Sequence, residues 1–247
     1  MTWIMTGTGH RIDFLSPDPD EIMLMDICIA LARNHRFGGH SPVKVAQHLC
    51  EVQALMLTKA LEMGITDPVV LAEIALVALL HDFPEFAVGD IPTPLKKLLG
   101  PLFAEIEARL LDCMLVKWEL VDAYLKWHDL LGWADQEAVQ QEATNYKMDG
   151  WLQTEGLVQT KVPNTWVPED KTITVTPYAH TEELMCSAVT HSFIKFMHQS
   201  GRYLLVSPEW RKTIEKWAHR ENTSVNEFIH SVDEGFPSFL ISGVRYF

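Results

Sequence analysis

The chain has 247 residues, with 33 Asp and Glu against 20 Lys and Arg, for a formal net charge of −13. That length accommodates one large domain or a domain with an appendage, and 47% hydrophobic residues are enough to bury a core, which excludes wholesale disorder. The acidic balance excludes a broad nucleic-acid footprint, which needs clustered Lys and Arg, while the 11 histidines raise the question of metal or acid–base chemistry.

Residues 1–15 have weak β character and predict a short strand or hairpin. Ser16-Pro17-Asp18-Pro19-Asp20 reads as a turn feeding a helix whose apolar positions are Ile22, Met25, Ile29 and Ala32. Phe37-Gly38-Gly39 breaks that helix. Pro42 stands near the start of the next, with Val45, Leu49, Val52, Leu55 and Met56 along one face. Gly64 ends it and Asp67-Pro68 opens a third. Residues 69–80 are apolar nearly all round, which predicts a central, buried helix running into His81-Asp82 and stopping near Pro84.

The proline density of Gly89-Asp90-Ile91-Pro92-Thr93-Pro94 requires irregular backbone. Helix is expected again over residues 103–131, as one or two segments, and over 133–146. Residues 151–178 lose the helical period: a loop or hairpin is expected around Pro163 and Pro168, and a strand over 172–176. Helices follow at 182–198, 208–220 and 224–232, before an apolar tail. Residues 1–200 thus form the main domain and 201–247 a C-terminal extension, which Trp210 and Trp217, seven apart, are placed to dock onto the bundle or onto a second subunit.

Cys28, Cys50, Cys113 and Cys186 lie far apart with no C-x-x-C pair, which fits a reducing compartment. The N-terminus lacks the pattern of a signal peptide, and the longest apolar run is too short to span a bilayer. A soluble, cytoplasmic protein without membrane partners is expected.

The chemistry gathers at His81-Asp82. A carboxylate beside an imidazole at the end of so apolar a helix is costly unless both are partnered. His48 lies on the preceding helix, and a helical hairpin can bring it beside His81. Glu85 and Asp90 follow within nine residues of His81, so three carboxylates crowd one helix terminus. Like charges at that density repel unless a multivalent cation offsets them. Imidazole nitrogen with carboxylate oxygen suits zinc, cobalt or manganese better than calcium.

The ordered set His48, Leu79-Leu80-His81-Asp82-x-x-Glu85 and Gly89-Asp90-Ile91-Pro92-Thr93-Pro94-Leu95-Lys96 resembles the HD-domain phosphohydrolase superfamily. Arg36-Phe37-Gly38-Gly39-His40 and Val45-Ala46-Gln47-His48 extend the likeness to the branch of bacterial 5′-deoxynucleotidases and phage deoxynucleoside triphosphate triphosphohydrolases. The resemblance covers roughly residues 7–150, with a weaker continuation to about 200. It implies an all-α helical bundle with a small irregular or β insertion.

It also implies roles. His48, His81 and Asp82 match metal ligands, and Asp135 is the best fit for a fourth, followed as it is by Gln141-Glu142-Ala143; Asp129 competes for that place. Glu85 matches the acid/base position. Asp90 matches the carboxylate that holds the attacking water or a second metal such as magnesium shared with Glu85. Arg36, Phe37, His40 and Lys96 are the substrate-binding candidates, with Arg36 the phosphate clamp because its guanidinium fork matches phosphate oxygens.

The implied activity is metal-dependent cleavage of a deoxynucleotide at the 5′-phosphate, from a triphosphate or a monophosphate, by a homo-oligomer. The competing expectations are a non-catalytic nucleotide-binding regulatory module and a cyclic-nucleotide phosphodiesterase. Phe83-Pro84, bulkier than the family's usual residues between HD and Glu, is expected to reshape the nucleoside pocket.

Overall fold

A computed structural model describes residues 1–145, 178–220, 222–224 and 227 of the protein. The expected loop around Pro163 and Pro168, the strand over 172–176 and the last helix and tail lie outside the described residues, as does the side chain of Trp217.

The N-terminal hairpin forms as expected: β1 (Trp3–Met5) pairs antiparallel with β2 (Arg11–Asp13), Ile4 facing Ile12. Its turn is tied down by Asp26, whose carboxylate accepts from the Thr8 amide at 3.1 Å and the Thr8 hydroxyl at 2.5 Å. Asp26 belongs to α1 (Leu24–Arg33), whose buried stripe is Leu24, Ile27, Cys28 and Leu31. The stripe expected from Met25 and Ile29 is rotated off that face, and both residues are only half-buried.

α2 (Val45–Glu62) and α3 (Pro68–Leu80) follow as an antiparallel pair. Asp67 caps α3 by accepting from the amides of Val69 and Val70, and Pro68 at the first helical position forfeits no hydrogen bond. From Ile74 to Leu80 every side chain of α3 is fully buried, as an all-apolar helix surface demands. α3 is therefore central, packed between α2, α7 (Val121–Asn145) and α8 (Tyr178–Gln199).

Between α3 and α7 come α4 (Glu85–Val88), α5 (Thr93–Leu99) and α6 (Pro101–Lys117). The helical region expected over 103–131 divides at Trp118–Leu120, and no break occurs near Leu131: α7 runs unbroken through Gly132 to Asn145. The corner is a Schellman turn without glycine. Glu119 is left-handed at φ 54°, its amide donates to Val116, and the Leu120 amide donates to Leu115. Burial of Trp118 and Leu120 on either side holds Glu119 in that conformation.

Phe83 anchors the chain as it leaves α3. Its ring is fully buried, 6.1 Å from that of Trp118 and 5.8 Å from that of Phe193 on α8. Phe83 thus fills the core, not a nucleoside pocket. After α8, Val206 and Ile214 join the same core, and Trp210 on α9 (Pro208–Arg220) packs against it. Arg202 fastens this segment by pairing with Glu73 at 3.2 Å and donating to the Glu119 carbonyl. Among the described residues no helix is long and apolar enough to cross a membrane.

Candidate metal centre

Three helices converge on one spot. His48 sits on the buried stripe of α2, fully enclosed between Val45 and Val52. His81 caps the C-terminus of α3, and Asp82 follows it. Ligand atoms of His48, His81 and Asp82 lie within 4.8 Å of one another, so these residues could hold a metal ion. Asp135 comes in from α7, its Oδ1 3.1 Å from Nε2 of His48 and 4.0 Å from Nε2 of His81. Asp82 Oδ2 stands 3.7 Å and 3.3 Å from the same two nitrogens. Asp129 does not take part: it is fully exposed, 3.8 Å from His128.

The hydrogen bonds of the two rings decide what their remaining atoms can do. His81 Nδ1 lies 2.6 Å from the Ala78 carbonyl, one of the acceptors that a helix C-terminus leaves without an amide partner. His48 Nδ1 lies 2.9 Å from Glu142 Oε1. A carbonyl and a carboxylate only accept, so each Nδ1 carries the proton and each Nε2 faces the other way. Both Nε2 atoms are buried, and among the described residues neither makes a well-directed hydrogen bond, although Asp135 Oδ1 stands 3.1 Å from that of His48 and Asp82 Oδ2 3.3 Å from that of His81. Two imidazole nitrogens, each braced from behind and facing carboxylates, form a donor set that could hold a metal ion.

Electrostatics agree. Burial and Arg36 both oppose charge on His48, yet the carboxylates of Glu142 and Asp135 prevail and its pKa is pushed up to about 10. Burial works against His81 as well, and Asp82 and Asp135 still raise it. Burial opposes ionisation of Asp82, but His81, His48 and Arg36 hold it well below the usual carboxylate range. The pocket favours a positive charge at Nε2, supplied by a proton or by a metal ion in competition for the same lone pair.

The other candidates lie on the far side of Asp82. Glu85, at the start of α4, is 3% exposed; its Oε1 is 3.5 Å from Lys96 Nζ and its Oε2 has no hydrogen-bond partner among the described residues. Burial pushes its pKa up, with the charges of Asp82 and Asp90 adding to the effect. Lys96 is shared with Glu107 at 2.8 Å. Asp90 accepts from the Gly38 amide at 3.3 Å, which docks the 89–92 turn on the turn at Phe37–Gly39. Only glycine suits that contact: Gly38 is left-handed at φ 62°, and a Cβ there would stand 3.1 Å from Pro92. Glu85 and Asp90 thus have separate partners, Lys96 and the Gly38 amide, while the charge of Asp90 still reaches Glu85.

Arg36 is buried, with Nε 3.0 Å from Glu142 and a terminal nitrogen 3.4 Å from Asp82. Phe37 is buried beneath the guanidinium, whose carbon is 5.8 Å from the ring centre. His40 is exposed, and its backbone closes the turn by donating to Phe37.

Sequence reasoning quoted Glu142 only as a neighbour of Asp135 and gave Asn34 no role. Glu142 lies seven residues after Asp135, on the same side of α7, and braces His48 and Arg36 at once. Asn34, just past α1, donates to the Glu85 carbonyl at 2.9 Å and holds α4 in place. Spacing could have flagged Glu142, since two helical turns return to one face; nothing local marks Asn34.

No family model matches the chain. It is 33% identical over 112 residues to an uncharacterized protein of Rhodobacter capsulatus, covering 44% of this chain and 54% of that one. It is 32% identical over 112 residues to the uncharacterized protein YfdR of Escherichia coli K12, with the same coverage of 44% and 54%. The chain spans about half the length of these curated relatives.

Proposed function

We propose that the protein is a cytoplasmic, metal-dependent phosphohydrolase that cleaves deoxynucleotides at the 5′-phosphate, releasing the deoxynucleoside. The observation that carries this reading is the pair of buried Nε2 atoms of His48 and His81 facing Asp82 and Asp135, with another buried carboxyl, Glu85, just beyond. His48, His81, Asp82 and Asp135 would hold zinc, cobalt or manganese. Such an ion polarises a phosphoryl oxygen and lowers the pKa of water.

The protein's own groups divide the remaining work. Burial raises the Glu85 pKa and so favours the protonated form, which would deliver a proton to the departing 5′-oxygen and then accept one from water. Lys96, beside it, works against that shift. Arg36, held in place on two sides before substrate arrives, offers a fixed positive charge to the phosphate without having to reorganise. Asp90 keeps the Phe37–Gly39 turn closed over this side of the site. A homo-oligomer is part of the proposal, in which the acidic surface meets small phosphates only through this centre.

A panel of deoxynucleoside mono- and triphosphates, with Mn, Co, Zn or Mg and products resolved as phosphate, pyrophosphate or triphosphate, tests the reading. Release of deoxynucleoside with one of these ions is expected. No turnover on any substrate, with nucleotide still raising the melting temperature, would overturn it in favour of a regulatory binding module; opening of a cyclic nucleotide alone would show a phosphodiesterase.

A further inference from the structure

Glu142 is 2% exposed and lies on a helix whose other buried residues include Ala134, Ala138 and Ala143. A carboxylate in such a position is strongly unfavourable unless both its oxygens are satisfied. They are: Oε1 lies 2.9 Å from His48 Nδ1, and Oε2 accepts from Arg36 Nε at 3.0 Å. Arg36 in turn reaches Asp82 at 3.4 Å, and Asp82 stands beside both histidine rings. The contacts close a ring, His48–Glu142–Arg36–Asp82, in which Glu142 is the only member that reaches the cation ligands solely from behind.

We propose that Glu142 is the positioning residue of the centre. Its one oxygen locks His48 in the tautomer that presents Nε2 to a cation, while its other oxygen fixes Arg36 where a phosphate would meet it. The inference rests on the metal reading of His48, His81 and Asp82 given above. It ties two properties that would otherwise be independent, cation affinity and arginine placement, to a single side chain. A purely structural buried ion pair would affect stability and leave the cation affinity of the folded protein as it is. Glutamine at this position keeps one acceptor but loses the charge, and its amide must serve either His48 or Arg36, not both.

The test uses the full chain and Co²⁺ as probe, titrated by calorimetry and by the visible absorption of the bound ion. Wild type is expected to bind Co²⁺, Glu142→Gln to bind it about ten- to a hundredfold more weakly, and Glu142→Asp to fall between them because it restores the charge at a shorter reach. A folded Glu142→Gln protein that binds Co²⁺ within about twofold of wild type overturns the proposal and leaves the metal site standing. A wild-type chain that gives no cobalt spectrum removes the metal reading itself. If Glu142→Gln does not fold, nitrogen-15 imidazole shifts of the Zn²⁺-loaded wild type decide: His48 must carry its proton on Nδ1, and coordination through Nδ1 overturns the proposal.

Discussion

The two sides of Asp82 solve the same problem in opposite ways. Toward α2 and α7, the carboxylates of Asp82, Asp135 and Glu142 surround two imidazoles whose Nε2 atoms face Asp82 and Asp135. Toward α4 and α5, Glu85 and Glu107 share the ammonium of Lys96, and Asp90 takes a backbone amide. The first side, where Arg36 offsets Glu142 and Asp82 in part, also gathers carboxylates around two braced imidazole nitrogens that could hold a metal ion. The second carries its own cation and leaves one oxygen, Glu85 Oε2, buried with nothing bound to it. A composition count treats all these carboxylates alike; their hydrogen bonds separate a cluster that could hold a metal ion from one paired with Lys96.

That division makes a double dissociation the sharpest way to break it. Glu85→Gln should cut turnover by about 10²–10⁴-fold while leaving Co²⁺ affinity within a few-fold of wild type. His81→Ala should abolish Co²⁺ binding outright, and turnover with it. Steady-state rates and cobalt titrations on the same preparations check both, and loss of metal in Glu85→Gln would merge the two sides into one site.

A smaller effect separates the aspartates of α7. Asp135→Ala is expected to weaken Co²⁺ binding by about ten- to a hundredfold, whereas Asp129→Ala, altering a fully exposed side chain, should change nothing. Reversal of that order would transfer the fourth ligand to the other residue.

Acidity should tune the histidine side specifically. Because the field of Glu142 and Asp135 pushes the His48 pKa up to about 10, a cation entering at neutral pH must displace a proton. Co²⁺ affinity should therefore rise by at least about tenfold per pH unit between roughly pH 6 and 9, more steeply where His81 also gives up a proton, with proton release visible as a dependence of calorimetric heat on buffer ionisation enthalpy. A flat profile would mean that His48 is already neutral before the ion arrives.

How much of this was legible in the chain depends on the range of the interactions. α3 is read directly, because thirteen residues with no polar side but Glu73 have no other stable placement than the centre. His48, His81 and Asp82 converge as expected, since a short connection makes α2 and α3 antiparallel neighbours and brings the end of one beside the start of the other. The α6–α7 corner was illegible: the left-handed residue is Glu119, and only the burial of Trp118 and Leu120 imposes that conformation. Phe83 misled for a related reason. Its position next to Asp82 suggested the site, but its partners Trp118 and Phe193 are distant in sequence and draw it into the core. The seven-residue step from Asp135 marks the face of Glu142, but its role comes from contacts with His48 and Arg36, each about a hundred residues away.

The smallest expected effect concerns the cost of crowding carboxylates on the histidine side. Glu51, one turn along α2 from His48, has its pKa pushed up to about 7, first by burial and then by the charge of Glu142. A carboxyl whose folded pKa lies above its unfolded value of 4.5 contributes stability that is fully present below pH 4.5 and is lost as the pH rises through about 7. Glu51→Gln cannot ionise and does not incur that loss. With chelator present, the variant and wild type should therefore differ by a constant amount in melting temperature below pH 4.5, with the variant gaining on wild type up to about pH 7 and no further change above it. Addition of Co²⁺ should shrink the gain, because a cation beside Asp82 and Asp135 offsets the negative field that Glu51 feels. A gain that persists unchanged in saturating Co²⁺ would mean that burial alone sets the Glu51 pKa, and that the histidine side is electrostatically closed to its own helix.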